Sequence, residues 1–257
     1  MDRTRSKSPT VSLGPFSASL LGRIALVAFA RLNLANITEV LFHSWSQLKS
    51  VGAGLESFSS KPVMTDTPAQ LPPELVQRYR QLFRFYDRQG DGELELEADF
   101  QPAATSLAGR WQGLSTPFPD LYGLLMATYR HEQQRRDADG SGGVDEQEFM
   151  ASHRAVLGAF RAFPDQARAF IERAVGGFFD VLDLDGDGCL QLGDLEAYAL
   201  AYAKPTAGIA ANLLRMLDGL NLPPEQPRDV FLTLVAQYWF DASPDAPGRW
   251  LFHLDPS

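Results

Sequence analysis

A single cysteine, Cys189, stands in 257 residues. It excludes an intramolecular disulfide framework, so the fold has to rest on a packed core. Methionine is also scarce, at five, and Met1 and Met64 lie outside any helical pattern. A Met-rich adaptable surface of the kind used to grip varied peptides is therefore missing. Basic charge is short as well. The 23 Lys and Arg face 32 Asp and Glu, a formal net charge of −9, and nucleic-acid binding would need a basic face. No apolar run reaches the ~20 residues of a membrane-spanning helix. The nearest candidate, 20–30, is broken by Arg23. Enzyme signatures are lacking too. There is no phosphate-binding glycine loop and no dinucleotide fingerprint, and His131-Glu132-Gln133-Gln134-Arg135 begins like H-E-x-x-H but has no second histidine. Catalysis is not expected.

Apolar residues make up 45% of the chain, ample for a core. The acidic charge is concentrated. Residues 1–63 hold seven Lys/Arg against three Asp/Glu, and the rest holds 16 against 29. That acidic remainder contains three Asp/Gly-rich segments, each behind an amphipathic stretch. The middle one, Asp137 to Glu148, fills every position of a twelve-residue calcium loop. Asp137, Asp139 and Ser141 stand at positions 1, 3 and 5, and Gly142 provides the sharp turn. Gly143 offers its carbonyl, Asp145 can hold a water, and Glu148 closes the cage with two oxygens. The third segment repeats the pattern with Asp183, Asp185, Asp187, the carbonyl of Cys189, and Asp194 at position 12. Alternating oxygens converge on a hard cation only where the backbone reverses, which a glycine at position 6 permits. Asp194 is one methylene shorter than Glu148 and favours a six-coordinate cage, so the third loop admits magnesium beside calcium.

The first segment is irregular. Asp87, Asp91 and Glu93 fit, but Gln89 holds position 3 and Ala98 falls at position 12, with Asp99 one place too late. It reads as a loop with one extra residue, and whether it binds is open. A fourth loop is read at 243–254, with Gly248 as the turn and Trp250 at position 8. Ser243, Pro247 and Leu254 leave it without ligands. Apolar residues at position 8 of paired loops meet in a short strand contact, so Leu94 is expected opposite Val144, and Leu190 opposite Trp250.

These motifs resemble the sarcoplasmic calcium-binding proteins and bacterial calerythrin, over about residue 72 to the end. The loop starts at 87, 137, 183 and 243 and the ending Ser243-Pro244-Asp245-Ala246-Pro247-Gly248-Arg249-Trp250-Leu251-Phe252 carry the likeness. The resemblance implies an all-α fold of four EF-hands in two pairs, 72–163 and 164–257, forming one compact unit. Residues 1–63 are an extension outside it, either a targeting segment or not a native working part. The expected function is a calcium-ion buffer, with a calcium sensor acting on a protein target as the alternative. Expected partners are calcium ions, with neither nucleic acid nor membrane. The expected location is cytoplasmic, unless residues 1–63 direct export or organelle import.

Overall fold

The computed structural model describes residues 70–114, 117–221 and 226–253. The readings made for residues 1–63 and Leu254 lie outside them. Helix α1 (Pro73–Tyr86) starts on a proline at its first turn, where a missing N–H costs nothing. Its stripe of Leu75, Tyr79, Leu82 and Phe83 is buried, as the 3.6-residue period predicts. Strand β1 (Glu93–Glu95) follows, then a π-helical turn (Leu96–Phe100) and helix α2 (Gln101–Gly109). The second hand runs from α3 (Leu121–Arg136) through β2 (Gly143–Asp145) to α4 (Glu146–Ala162). Strands β1 and β2 pair antiparallel with Leu94 opposite Val144, as expected, and both side chains are buried.

The third hand enters through α5 (Pro164–Phe170), a second π-turn (Ile171–Val175) and α6 (Gly176–Leu182). It leaves through β3 (Cys189–Leu190) and α7 (Leu192–Ala201). Helix α8 (Ile209–Asp218), strand β4 (Gln226–Pro227) and helix α9 (Arg228–Phe240) complete the fold. Here the structure corrects the sequence reading. Leu190 pairs with Gln226, not Trp250, and Cys189 with Pro227. The fourth hand is therefore α8 and α9, with Trp239 on its exit helix. With Gln226 at position 8, the corresponding window is 219–230. Gly219, Pro223, Pro227 and Val230 then fall at positions 1, 5, 9 and 12, with no carboxylate among them.

The tail that resembled a loop has another job. Residues Pro247–Trp250 form a 3-10 turn packed on α8 and α9. A Cβ on Gly248 would collide with the Leu234 carbonyl and press on the Tyr238 nitrogen. Gly248 is thus the point where the tail backbone meets α9, and not a loop turn. Phe252 follows into the core, with ring centroids 5.1 Å from Phe85 and 5.0 Å from Tyr238. Trp250 is half-buried under the guanidinium groups of Arg215 and Arg249, 4.5 and 4.9 Å from its ring.

The first and fourth hands are joined by a polar clamp. Arg78 on α1 is buried and donates to the carbonyls of Gln237, Asp241 and Ser243. These carbonyls lie in the last turn of α9 and just beyond it, where the helix ladder runs out. Tyr79 donates to the Trp239 carbonyl, and Tyr238 returns a bond to the Arg78 carbonyl.

The interior is not filled throughout, although its aromatic richness points to close packing. A partly open cavity of about 940 Å³ lies among the helices, lined by residues including Tyr129, His153, Phe170, Tyr202 and Trp239. His153 is buried. Its ring packs 4.2 Å from Phe149 and 4.6 Å from Tyr79, and Nδ1 lies 2.8 Å from the Phe149 carbonyl. Burial, with Arg136 nearby, pushes its pKa down to about 3.

Two stability predictions follow from this packing. The Gly248→Ala variant should unfold more easily by about 1–3 kcal/mol, the range for overpacking a close contact. Unchanged thermal unfolding would remove the tail from the α9 interface. In calcium-free buffer the folded state keeps His153 neutral where the unfolded chain takes up a proton. Stability should hold above the ordinary histidine value of ~6.5 and decline as pH falls from there towards 3, by up to ~1.4 kcal/mol per unit. The His153→Gln variant should flatten that decline between pH ~6.5 and 5, where carboxylates contribute little. Unfolding midpoints measured across that window decide it.

Candidate metal centres in three of the four loops

The second loop is built by its own amides. Asp137 Oδ1 accepts from the N–H groups of Gly140 (2.8 Å) and Ser141 (3.1 Å), and Oδ2 accepts from Gly142 (3.0 Å). Asp139 Oδ1 accepts from Ser141 N–H at 2.9 Å, which holds its carboxyl below the usual carboxylate range. Gly142 takes φ +94°, a conformation open to glycine at little cost. Glu148 closes the loop. Its Oε1 accepts from Ala138 (2.7 Å) and Asp139 (3.3 Å), and its Oε2 from Asp145 (3.2 Å). Asp145 accepts in turn from Glu148 N–H at 2.8 Å, the capping box that starts α4. Carboxylate oxygens of Asp137, Asp139 and Glu148 lie within 4.8 Å of one another. Such a set of hard oxygens suits a divalent cation of the calcium class.

The first loop reaches the same closing hydrogen bonds by another route, although among the described residues its carboxylates do not converge as those of the second loop do. Asp87 accepts from Gly90 (2.6 Å) and Gly92 (3.0 Å), the counterparts of Gly140 and Gly142. The surplus residue is taken up in the π-turn, where the Gln101 N–H bonds back to the Leu96 carbonyl. An i→i+5 turn admits one residue more than an α-turn without ending the helix. Asp99 is thereby carried into the closing position. Its Oδ1 accepts from Arg88 (2.6 Å) and Gln89 (3.3 Å), and its Oδ2 from Glu95 (2.8 Å). These are positions 2, 3 and 9, the same three amides that Glu148 takes in the second loop. Asp99 is fully buried, and burial pushes its carboxyl up against three N–H donors that pull it down. The sequence signal for it was there, an acid one place late before Phe100. Gln89 remains a neutral ligand at position 3.

The third loop is only partly assembled. Asp183 accepts from Gly186 (2.9 Å) and Gly188 (3.0 Å), and Asp187 from Cys189 N–H (2.8 Å). Oxygens of Asp183, Asp185 and Asp187 converge within 4.8 Å. Burial first, then the neighbouring acids Asp185 and Asp187, raise the pKa of Asp183, a tension that a cation would relieve. Asp194 departs from the pattern of the other two loops. Its Oδ2 accepts from Gln191 N–H at position 9 (3.1 Å), but its Oδ1 faces the guanidinium of Arg110 at 2.8 Å. Of the residues expected as ligands, Asp137, Asp139 and Glu148 are brought together. Ser141, Gly143 and Asp145 sit in the same loop, with Ser141 Oγ 3.5 Å from the Gly143 carbonyl. Asp183, Asp185 and Asp187 also converge, with Cys189 in β3, whereas Asp194 is turned to Arg110.

Among the described residues no helix is long and apolar enough to cross a membrane. No protein-family model matches the sequence. No curated protein matches it either. Solved structures do share its fold. A coelenterazine-binding protein from Renilla muelleri, in its calcium-loaded apo form, is 19% identical, with a TM-score of 0.52 over 74% of this chain and 99% of that one. An apoaequorin complex with (S)-HM-daCTZ is 13% identical, with a TM-score of 0.53 over 75% and 97%. A sarcoplasmic calcium-binding protein from amphioxus is 18% identical over 72% and 99%, with a TM-score of 0.49. At these identities the likeness is one of architecture, and the chain has the EF-hand fold, four hands in two pairs.

Proposed function

We propose that the chain binds calcium reversibly and acts as a buffer of that ion. The observation that carries this is the convergence of Asp137, Asp139 and Glu148 oxygens in a loop whose amides already hold them in place. Little reorganisation remains for the ion to drive. In the second loop Asp137, Asp139, Ser141, the Gly143 carbonyl, Asp145 through a water and Glu148 would hold it. In the first loop Asp87, Asp91 and Asp99 join Gln89 and the Glu93 carbonyl. The third offers Asp183, Asp185, Asp187, the Cys189 carbonyl and Asp194, and accepts magnesium more readily because its closing side chain is short. The buffer reading rests on what would have to move in a sensor. Met126 and Met216 are buried, and the well-exposed large apolar side chains, Leu114, Tyr122, Phe163, Leu200 and Leu214, come from different segments of the chain. A sensor of the calmodulin kind opens a Met-rich groove instead.

Calorimetry on the full chain should find sites with dissociation constants of ~10⁻⁷ to 10⁻⁵ M, the span for loops with several carboxylates. Glu148→Gln should abolish the second site and Asp99→Asn the first. Calcium at 100 times the dissociation constant should add ~2.7 kcal/mol of stability per site. Magnesium should compete more strongly for the site left when both variants are combined. No binding below millimolar calcium would sink the proposal, and a large calcium-driven rise in dye-accessible apolar surface would favour the sensor.

A second reading is favoured by the cavity. The Renilla muelleri protein is named for coelenterazine binding, and the aequorin structure holds a small molecule. In this chain the cavity has aromatic walls, and the buried indole N–H of Trp239 on its lining has no hydrogen-bond partner among the described residues. An apolar aromatic ligand with one acceptor atom fits that environment. Fluorescence titration with coelenterazine should give saturable one-to-one binding, weakened when Trp239 is replaced by Phe, which keeps the ring face but not the donor. Non-saturable uptake would leave the buffer reading alone.

A further inference from the structure

The third loop is already in contact with a cation, and that cation belongs to the protein. Arg110 caps the C-terminus of α2, the exit helix of the first hand. Its guanidinium lies 2.8 Å from Asp194 Oδ1 and donates more weakly to the Leu182 carbonyl, at 3.5 Å. Leu182 directly precedes Asp183 at the start of the loop, and Asp194 is its last position. One guanidinium thus bridges the two ends of the loop. The pair is largely shielded, with side-chain exposures of 19% and 14%, so water screens it little. The next residue fastens the arrangement, because the buried indole N–H of Trp111 donates to the Val181 carbonyl at 3.0 Å.

Comparison of the three loops gives this contact its meaning. Asp99 and Glu148 each give one oxygen to the amides at positions 2 and 3, and in the second loop this sets Glu148 among the convergent oxygens of Asp137 and Asp139. In the third loop the corresponding oxygen of Asp194 goes to Arg110 instead. The convergent oxygens in the second loop include Glu148, whereas those in the third are Asp183, Asp185 and Asp187 without Asp194. A reciprocal contact runs the other way. Lys204, just beyond α7, donates to the backbone carbonyl of Asp87 at 2.6 Å, which leaves the first loop's carboxylates to their amides. Only Arg110 takes the closing carboxylate itself.

We propose that Arg110 is a latch on the third loop, an internal cation that holds Asp194 out of the ion site and has to be displaced when a divalent ion binds. The latch lowers the affinity of this loop. It also ties the ion's arrival to the segment that follows the first hand, since release of Arg110 loosens the contact between that segment and α6. By reciprocity, anything that draws Arg110 away raises the loop's affinity. The proposal rests on the reading of the third loop as a calcium site.

The test uses the full chain carrying Glu148→Gln and Asp99→Asn, so that calorimetric heat reports the third loop. Adding Arg110→Gln should raise calcium affinity about tenfold, the scale of one charge-assisted hydrogen bond released. Arg110→Lys, which keeps the charge but loses the fork, should fall between the two. The calcium-free unfolding temperature of the Arg110→Gln protein should drop at the same time, because the ion pair is lost. That opposition of signs separates a latch from a brace, whose removal would lower stability and affinity together. In the otherwise unaltered chain, the Trp111 emission change on calcium addition should shift to lower calcium in Arg110→Gln, with Trp111→Phe identifying the signal. Equal or weaker affinity in Arg110→Gln overturns the latch. Absence of third-loop binding in both proteins overturns the calcium reading of that loop and the latch with it.

Discussion

Each of the first three loops has to solve one electrostatic problem, that of holding several carboxylates close together before any cation arrives. The loop's own N–H groups do it. In the second loop Asp137 takes three amides, and Glu148 takes three more from both ends of the turn. These charge-assisted bonds offset the mutual repulsion and fix the carboxylates near the geometry an ion needs. They also satisfy backbone donors that a tight turn would otherwise leave unpaired. The closing carboxylate matters most, because it joins the loop's start to the exit helix and so sets where that helix begins. Around it the paired strands, Leu94 with Val144 and Leu190 with Gln226, have only to bury two or three residues to bring two hands together.

A different need explains why a fourth loop without acids at these ligand positions is kept. The fourth turn has no acid at positions 1, 5, 9 or 12, yet its strand covers β3 and its helices cover the third hand. Arg78 and Tyr79 on α1 bind the carbonyls at the end of α9, and Tyr238 answers with a bond to α1. With the Arg110 and Lys204 contacts, the halves are joined by polar bonds at specified atoms as well as by apolar packing. Polar bonds of this kind fix register, since each carbonyl left unpaired in a buried place would cost about 1–3 kcal/mol.

What the sequence made legible was whatever depends on local spacing. The second and third loops, the helices around them and the Leu94–Val144 contact could all be read from position alone. The first loop was half legible. Asp99 was visible one place late, but that a π-turn would absorb the surplus residue is settled by how Phe100 packs into the aromatic core, a long-range matter. The fourth hand was misplaced because its markers are misleading. Gln226 is polar where position 8 is normally apolar, and Pro227 stands at the N-cap of α9. Gly248 and Trp250, eight to ten residues past that helix, imitate a loop by coincidence of spacing. The burial of Arg78 and His153 is not legible in spacing, for one reason. Periodicity assigns polar residues to the solvent side, and only the tertiary fold brings carbonyls or aromatic rings to bury them.

The cavity bears on how calcium and the interior are related. Its walls draw on both halves, with Tyr129 and His153 from the second hand and Tyr202 and Trp239 from the third and fourth. The hydroxyl of Tyr202 donates to that of Tyr129 at 2.9 Å, a bond across the space between the pairs. Each of these residues lies on, or just beyond, a helix that leads into or out of a loop. A rotation of α7 set by Asp194 would be felt at Tyr202, and one of α4 set by Glu148 at His153. Close-packed cores pass small displacements on because they have no slack. A hollow one absorbs them locally unless something fills it. Across the hollow the two pairs meet at the Tyr129–Tyr202 bond, and a ligand occupying it would add contacts between them. Within the first pair the ion sites are joined by the β1–β2 strands. Between the pairs they are joined by polar contacts outside the cavity, of which Arg110 reaches a closing carboxylate directly.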